Sequence, residues 1–249
     1  MEAFKDKIAL LVGVCDEVGE AIGLRFAQKG ATVIVCGSDY AKLSMLINQM
    51  RESGCNAEAN LVDSTSSVDV KRLVDSVIKQ YGKIEILVNN PDARCGKPVC
   101  ETSDNDWDTS IRSIISPAFF FCREVIPKMQ TQKYGRVINI SSLCYMGWPG
   151  QANYSAAKSA LFGLTRSLAL ESAKDGVTVN CVAKGDLATS EMSLEQADMI
   201  GSSLPVKRIG RPDDIARAVG FFASDRANYI TGQMLFVCGG KSAHFSMSI

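Results

Sequence analysis

Lys7–Cys36, KIALLVGVCDEVGEAIGLRFAQKGATVIVC, decides the fold. It opens with a short apolar run, Lys7–Val14, carrying a glycine near its end, which reads as a buried strand. Val18, Ile22 and Phe26 then recur at helical spacing, and the pattern stops at Gly30, where a glycine commonly ends a helix. Ala31–Cys36 is a second apolar run of strand length. A strand, a glycine-bearing loop, a helix and another buried strand make one unit of a parallel sheet with a crossover helix.

Working outward, the same alternation continues to the end of the chain. Ala41–Ser53 predicts a helix, Ala57–Val62 a strand, Ser67–Tyr81 a helix and Ile84–Val88 a strand. Trp107–Gln130 predicts one long helix, Arg136–Ser141 a strand, Asn153–Lys174 a second long helix and Val177–Val182 a strand. Pro212–Ala223 predicts a helix that opens on a proline, and Met234–Val237 the last strand. Seven strands alternating with six helices predict an α/β fold, a doubly wound Rossmann-like parallel sheet with helices on both faces. No linker composition or fixed-period repeat divides the chain, so 1–249 is expected to form a single domain. In such sheets ligands bind beyond the carboxyl ends of the strands, so the loops following each strand carry the functional reading.

Composition narrows the class. The chain has 249 residues, 46% hydrophobic and 22% charged, as in a soluble globular protein. Its 27 basic and 27 acidic residues balance, which gives no electrostatic reason to expect a nucleic acid or an anionic membrane as partner. The N-terminal segment lacks the apolar core of a signal peptide, and no apolar stretch is long enough to span a bilayer, so a cytoplasmic protein is expected. Nine scattered cysteines without a CxxC read as reduced thiols, and with one histidine no metal site is expected.

The chemistry-bearing pattern is Ser142 followed by Tyr154-Ser-Ala-Ala-Lys158. Tyrosine and lysine four apart share one face of a helix. A tyrosine is a poor base unless a nearby cation stabilises its phenolate, and Lys158 is placed to supply that charge. Ser142, just after a strand, is placed to hydrogen-bond a substrate carbonyl or alcohol. Three such groups suit proton transfer coupled to hydride transfer at a secondary alcohol or ketone.

With these motifs, Asp63 after the third strand, Asn89-Asn90 after the fourth, Thr178-Val-Asn180, Tyr229-Ile-Thr-Gly-Gln-Met and Val237-Cys-Gly-Gly240, the chain resembles the short-chain dehydrogenase/reductase family over nearly its whole length. The resemblance implies a nicotinamide cofactor, NAD in the assembled enzyme, and dimers or tetramers built through the two long helices and the last strand. It assigns catalysis to Ser142, Tyr154 and Lys158, and cofactor binding to Gly13, Gly19, Asp63 and Asn89.

Five departures from the family pattern stand out. The family's first loop, TGxxxGxG, here keeps Gly13 and Gly19 but has Glu17 in place of the middle glycine. Like charges about 5 Å apart at an effective dielectric of roughly 20 repel by about 3 kcal/mol, so Glu17 disfavours a phosphate unless its carboxylate turns to water. Without a phosphate, an acid in a first helical turn is favourable. After the second strand, Gly37-Ser38 occupies the positions of the ribose-holding acid or phosphate-holding base, with Asp39 placed either to reach a ribose or to start the next helix. Pro91-Asp92 replaces Ala-Gly after the fourth strand, Ile114 stands at the family's catalytic asparagine, and Lys184 replaces a proline beside the nicotinamide, although Thr189 is kept.

All five lie on the ligand side of the sheet, while the strands and long helices read normally. The combination resembles the non-catalytic partner subunits of heteromeric family members, one of which oxidises a 3-hydroxyacyl-CoA-type alcohol to a ketone in anaerobic toluene degradation. The expected role is therefore a catalytically inactive subunit in a heterotetramer with an active paralogue, binding cofactor weakly or not at all. Two alternatives stay open: an active NAD(P)(H)-dependent dehydrogenase or ketoreductase using Ser142, Tyr154 and Lys158, and a sensor that binds cofactor without turnover. The segment Asp186–Leu204 is placed as a substrate lid, and the tail with His244 and Phe245 either reaches a neighbouring subunit or frays.

Overall fold

The computed structural model describes residues 3–93 and 96–246, the last three of these by backbone alone. The first strand, β1 (Ile8–Val12), alternates its side chains between two apolar layers: Ala9 and Leu11 enter one, Ile8, Leu10 and Val12 the other. A strand covered on both faces has no polar face, which is why this segment reads as a continuous apolar run.

The chain continues through α1 (Glu17–Gln28), β2 (Thr32–Gly37), α2 (Tyr40–Glu52), β3 (Ala57–Leu61), α3 (Ser67–Tyr81) and β4 (Ile86–Asn89). It then runs through α4 (Asp104–Ser110), α5 (Ser116–Gln132), β5 (Gly135–Ser142), α6 (Ala152–Ser172) and β6 (Val177–Lys184). The final elements are α7 (Leu194–Ser203), α8 (Pro212–Ala223), β7 (Met234–Val237) and α9 (Lys241–Ser246). All seven strands pair in parallel in the order β3-β2-β1-β4-β5-β6-β7. Side chains of α1, α2 and α8 cover one face, and those of α3 and α5 cover the other. The strand order reverses between β1 and β4, so the crevice beyond their carboxyl ends is where such a sheet receives a ligand.

Three elements differ from the sequence reading, one of them α9, which forms where the tail begins. The helix expected over Trp107–Gln130 is two helices joined by a π turn at Ile111–Ile115. Pro117, at the start of α5, lacks the amide that would continue an α-helical ladder, and the Ser116 hydroxyl reaches back to the Ile111 carbonyl at 3.5 Å. The helix also starts earlier than expected, because Ser103 and Asp106 form a reciprocal capping box. Within the expected lid, α7 is a regular helix whose start is set by a second capping box, Ser193 with Gln196. That signal, a serine three residues before a glutamine, was present in the sequence.

No helix among the described residues is long and apolar enough to cross a membrane. The side chains of His244 and Phe245 lie outside the described residues.

Candidate functional site

The loop between β1 and α1 explains the two glycines that persist. Gly13 has φ of +74°, and a Cβ there would lie 2.2 Å from the Asn90 carbonyl oxygen. A Cβ on Gly19 would lie 2.3 Å from the Val14 Cα. Both are required by the chain's own backbone packing, whether or not a ligand is present. Asp16 caps α1, its Oδ1 accepting from the Gly19 amide at 2.7 Å and from Asn90 Nδ2 at 2.9 Å. Asn90 Nδ2 also donates to the Gly13 carbonyl at 2.8 Å, tying β4 to the loop.

Glu17, partly exposed, is tied to the chain. Its Oε1 accepts a hydrogen bond from the Ser190 amide at 2.6 Å, bridging the start of α1 to the segment after β6. After β2, a Cβ on Gly37 would sit 2.9 Å from Cys15 Sγ, and Asp39 caps α2 by accepting from the Lys42 amide at 3.1 Å. Of the two roles open to Asp39, the structure shows the helix start. Asp63 is exposed and accepts from both the hydroxyl and the amide of Thr65, which lowers its pKa. Asn89 is buried between sheet and helices, its amide donating to Asn139 Oδ1 at 2.9 Å and lying 3.5 Å from Cys122 Sγ.

Tyr154 and Lys158 both lie on the buried face of α6. Lys158 Nζ donates to the Pro91 carbonyl at 2.8 Å and to the Ile140 carbonyl at 3.5 Å, and stands 3.6 Å from Asp92 Oδ1. The other carboxylate oxygen of Asp92 accepts from Lys184 Nζ at 2.7 Å, and Lys184 lies 3.7 Å from Asp16 Oδ2. Asp16, Lys184, Asp92 and Lys158 therefore form a row of alternating charges across the crevice. The row joins the loop after β1, the end of β6, the loop after β4 and α6. Two of the five sequence departures, Pro91-Asp92 and Lys184, take part in it as one connected arrangement.

The titration of these groups follows from the row. Burial opposes the charge on Asp92, but Lys158 and Lys184, with hydrogen bonds from Lys184 and Tyr154, outweigh it and hold the carboxyl well below the usual range. Burial pushes Lys158 down to about 8, with Lys184 acting in the same direction and Asp92 opposing both. Ile114 is fully buried in an apolar cluster with Ala118, Tyr154, Ala157 and Leu161, and offers no polar atom behind Lys158.

Ser142 ends β5, and its hydroxyl accepts from the Cys144 amide at 3.2 Å. It lines a cavity of about 770 Å³ bounded also by Trp148, Gln151, Lys184, Asp186 and Lys241. Lys241 pairs with Asp186 at 2.7 Å and lies 5.0 Å from the centre of the Trp148 ring. The structure thus brings Lys158 and Lys184 together at Asp92, while Asn89 and Asp63 bond to the chain's own groups elsewhere. Sequence reasoning missed Asp16 as the end of the charge row and Lys241 as a wall of the cavity. Asp16 carried a readable signal, since an aspartate three residues before Gly19 and just ahead of an apolar helical pattern is a cap.

Comparison with known proteins agrees with the fold. The family model described as enoyl-(acyl carrier protein) reductase matches residues 13–242. Subunit BbsC of the (2S)-[(R)-hydroxy(phenyl)methyl]succinyl-CoA dehydrogenase of Thauera aromatica is 43% identical, over 98% of this chain and 97% of the relative. Subunit BbsD of the same enzyme is 34% identical, over 96% and 97%. Among solved structures, that of a short-chain dehydrogenase/reductase from Burkholderia xenovorans superposes with a TM-score of 0.92 at 32% identity, over 97% of this chain and 98% of the other.

Proposed function

Because the chain belongs to the short-chain dehydrogenase/reductase family, we propose that it serves as the non-turnover subunit of a heteromeric, NAD-dependent dehydrogenase. A paralogous subunit would bind the nicotinamide cofactor and oxidise a secondary alcohol, carried on a CoA thioester, to a ketone. The observation that carries this reading is the charge row Asp16–Lys184–Asp92–Lys158. Its members satisfy one another across the crevice that the resemblance assigns to the cofactor.

The residues present do not fit a nicotinamide dinucleotide. One amide of the first turn of α1, that of Gly19, is bonded to Asp16, and Glu17 adds a second carboxylate beside it. Lys158 is already engaged, by the Pro91 carbonyl and by Asp92. The proton relay lacks its asparagine, with Ile114 in that place. The two Thauera relatives support the assembly, since both are subunits of one dehydrogenase and both match this chain almost end to end. Exposed apolar side chains such as Phe119, Leu170, Phe221, Leu235 and Phe236 supply surface for a partner subunit in a heterotetramer.

The test is co-expression with the paralogue. Tyr154→Phe in this chain is expected to leave turnover of the complex within about twofold, whereas the matching change in the partner abolishes it. A second reading, an independent dehydrogenase or ketoreductase, is favoured by the cavity beside Ser142. It predicts a homo-oligomer that turns over alone and loses that activity with Tyr154→Phe.

A further inference from the structure

Three carboxylates, Asp16, Glu17 and Asp92, and two ammonium groups, Lys158 and Lys184, line the crevice, for a local net charge of −1. Glu17 and Asp92 play parallel parts. Glu17 supplies an anion to a backbone amide at the segment after β6, 173 residues away in sequence. Asp92 supplies oxygens to both lysines, at 3.6 and 2.7 Å. Each gives the surrounding donors what an anionic, hydroxyl-bearing ligand would otherwise give them. Gly13 and Gly19 still shape the loop, because backbone packing and not a ligand demands them. The backbone frame of the crevice is therefore intact, and the departures that close it are side chains.

Resting on the reading above, we infer that Glu17 and Asp92 act as built-in anions that occupy the donors of a dinucleotide site, so that exclusion of a dinucleotide is set by these two side chains and is reversible. Removing both leaves one carboxylate facing two ammonium groups, a local charge of +1. It also frees the Ser190 amide and takes the Asp92 carboxylate away from Lys158 and Lys184, while the Pro91 carbonyl still accepts from Lys158 and Asp16 still faces Lys184. Relief of one like-charge contact at the phosphate is on the order of a hundredfold in affinity.

The experiment titrates the purified full chain with NADH, followed by its fluorescence, and with ADP, followed by calorimetry. Wild type is compared with Glu17→Gly, Glu17→Gly/Asp92→Gly and the shape-conserving Glu17→Gln/Asp92→Asn. Circular dichroism and melting identify which variants are folded. Glu17→Gly is expected to tighten ADP binding at least ~10-fold, and the double glycine variant to tighten NADH binding ~100-fold over wild type. If the double glycine variant does not fold, Glu17→Gly and Glu17→Gln/Asp92→Asn decide. Folded variants that bind no better than wild type overturn the inference and leave the non-binding subunit standing. Micromolar NADH binding by wild type instead overturns the proposed function, and the two failures are thereby distinguished.

Discussion

Asp92→Asn should destabilise the chain by about 3 kcal/mol at pH 7. The carboxylate sits 2.7 Å from Lys184 and 3.6 Å from Lys158, its side chain 27% exposed and that of Lys158 fully buried. At an effective dielectric of roughly 20, these separations give gross attractions of about 6 and about 5 kcal/mol. Desolvation offsets most of that sum, and breaking a buried pair on one side typically costs about 3–5 kcal/mol. Partial exposure of Asp92 places it at the lower end. In a chain of this size, about 2–4 °C of melting temperature accompany each kcal/mol, so the expected loss is roughly 6–12 °C.

The assay is thermal melting at fixed protein concentration, since subunit association itself shifts the midpoint. A double-mutant cycle with Lys184→Met isolates the pair, with an expected coupling of about 1–2 kcal/mol. The effect must also depend on pH. The folded-state pKa of Asp92 lies below its ordinary value near 4, so its contribution is fully present above about pH 4 and fades as the pH falls below it. The gap between wild type and Asp92→Asn should therefore shrink in acid. A melting temperature within 1–2 °C of wild type at pH 7, roughly half a kcal/mol or less, would refute the argument. So would strict additivity with Lys184→Met.

Two further outcomes follow from the same region. Lys158 titrates at about 8 when folded and near 10.5 when unfolded, so between these values the unfolded chain holds more protons and stability rises with pH. The melting temperature of wild type relative to Lys158→Met should climb across that window, and a flat difference would contradict the burial argument. Ile114→Asn, which restores the family's residue, places an amide among Ala118, Tyr154, Ala157 and Leu161. It should cost about 1–3 kcal/mol by denaturant melting, and a neutral result would mean the cluster holds a polar partner.

The architecture was legible because its signals are local. Buried parallel strands such as Leu10–Val12 are apolar without interruption, and helices announce themselves by period and by caps. Where the reading failed, competing local chemistry was responsible. Pro117 and Ser116 turned one long helix into two joined by a π turn. The departures at Glu17, Asp92, Ile114 and Lys184 were equally visible, but each stood as a separate oddity. Glu17 had three open fates in the sequence, repelling a phosphate, facing water or favouring the helix start. Its bond to the Ser190 amide is a further one that no local pattern contains, made while Glu17 stays in the first turn of α1.

Sequence alone determined that this is a doubly wound sheet of the short-chain dehydrogenase/reductase kind, that Ser142, Tyr154 and Lys158 are retained, and that the ligand side had changed. Those properties depend on neighbours within a few residues or on a pattern repeated along the chain. Tertiary structure alone decided what the changes do together. Asp16, Asp92, Lys158 and Lys184 come from four separate segments and meet because the strand order reverses between β1 and β4. Coulomb attraction at about 3 Å is a property of that meeting, and no window of sequence contains it.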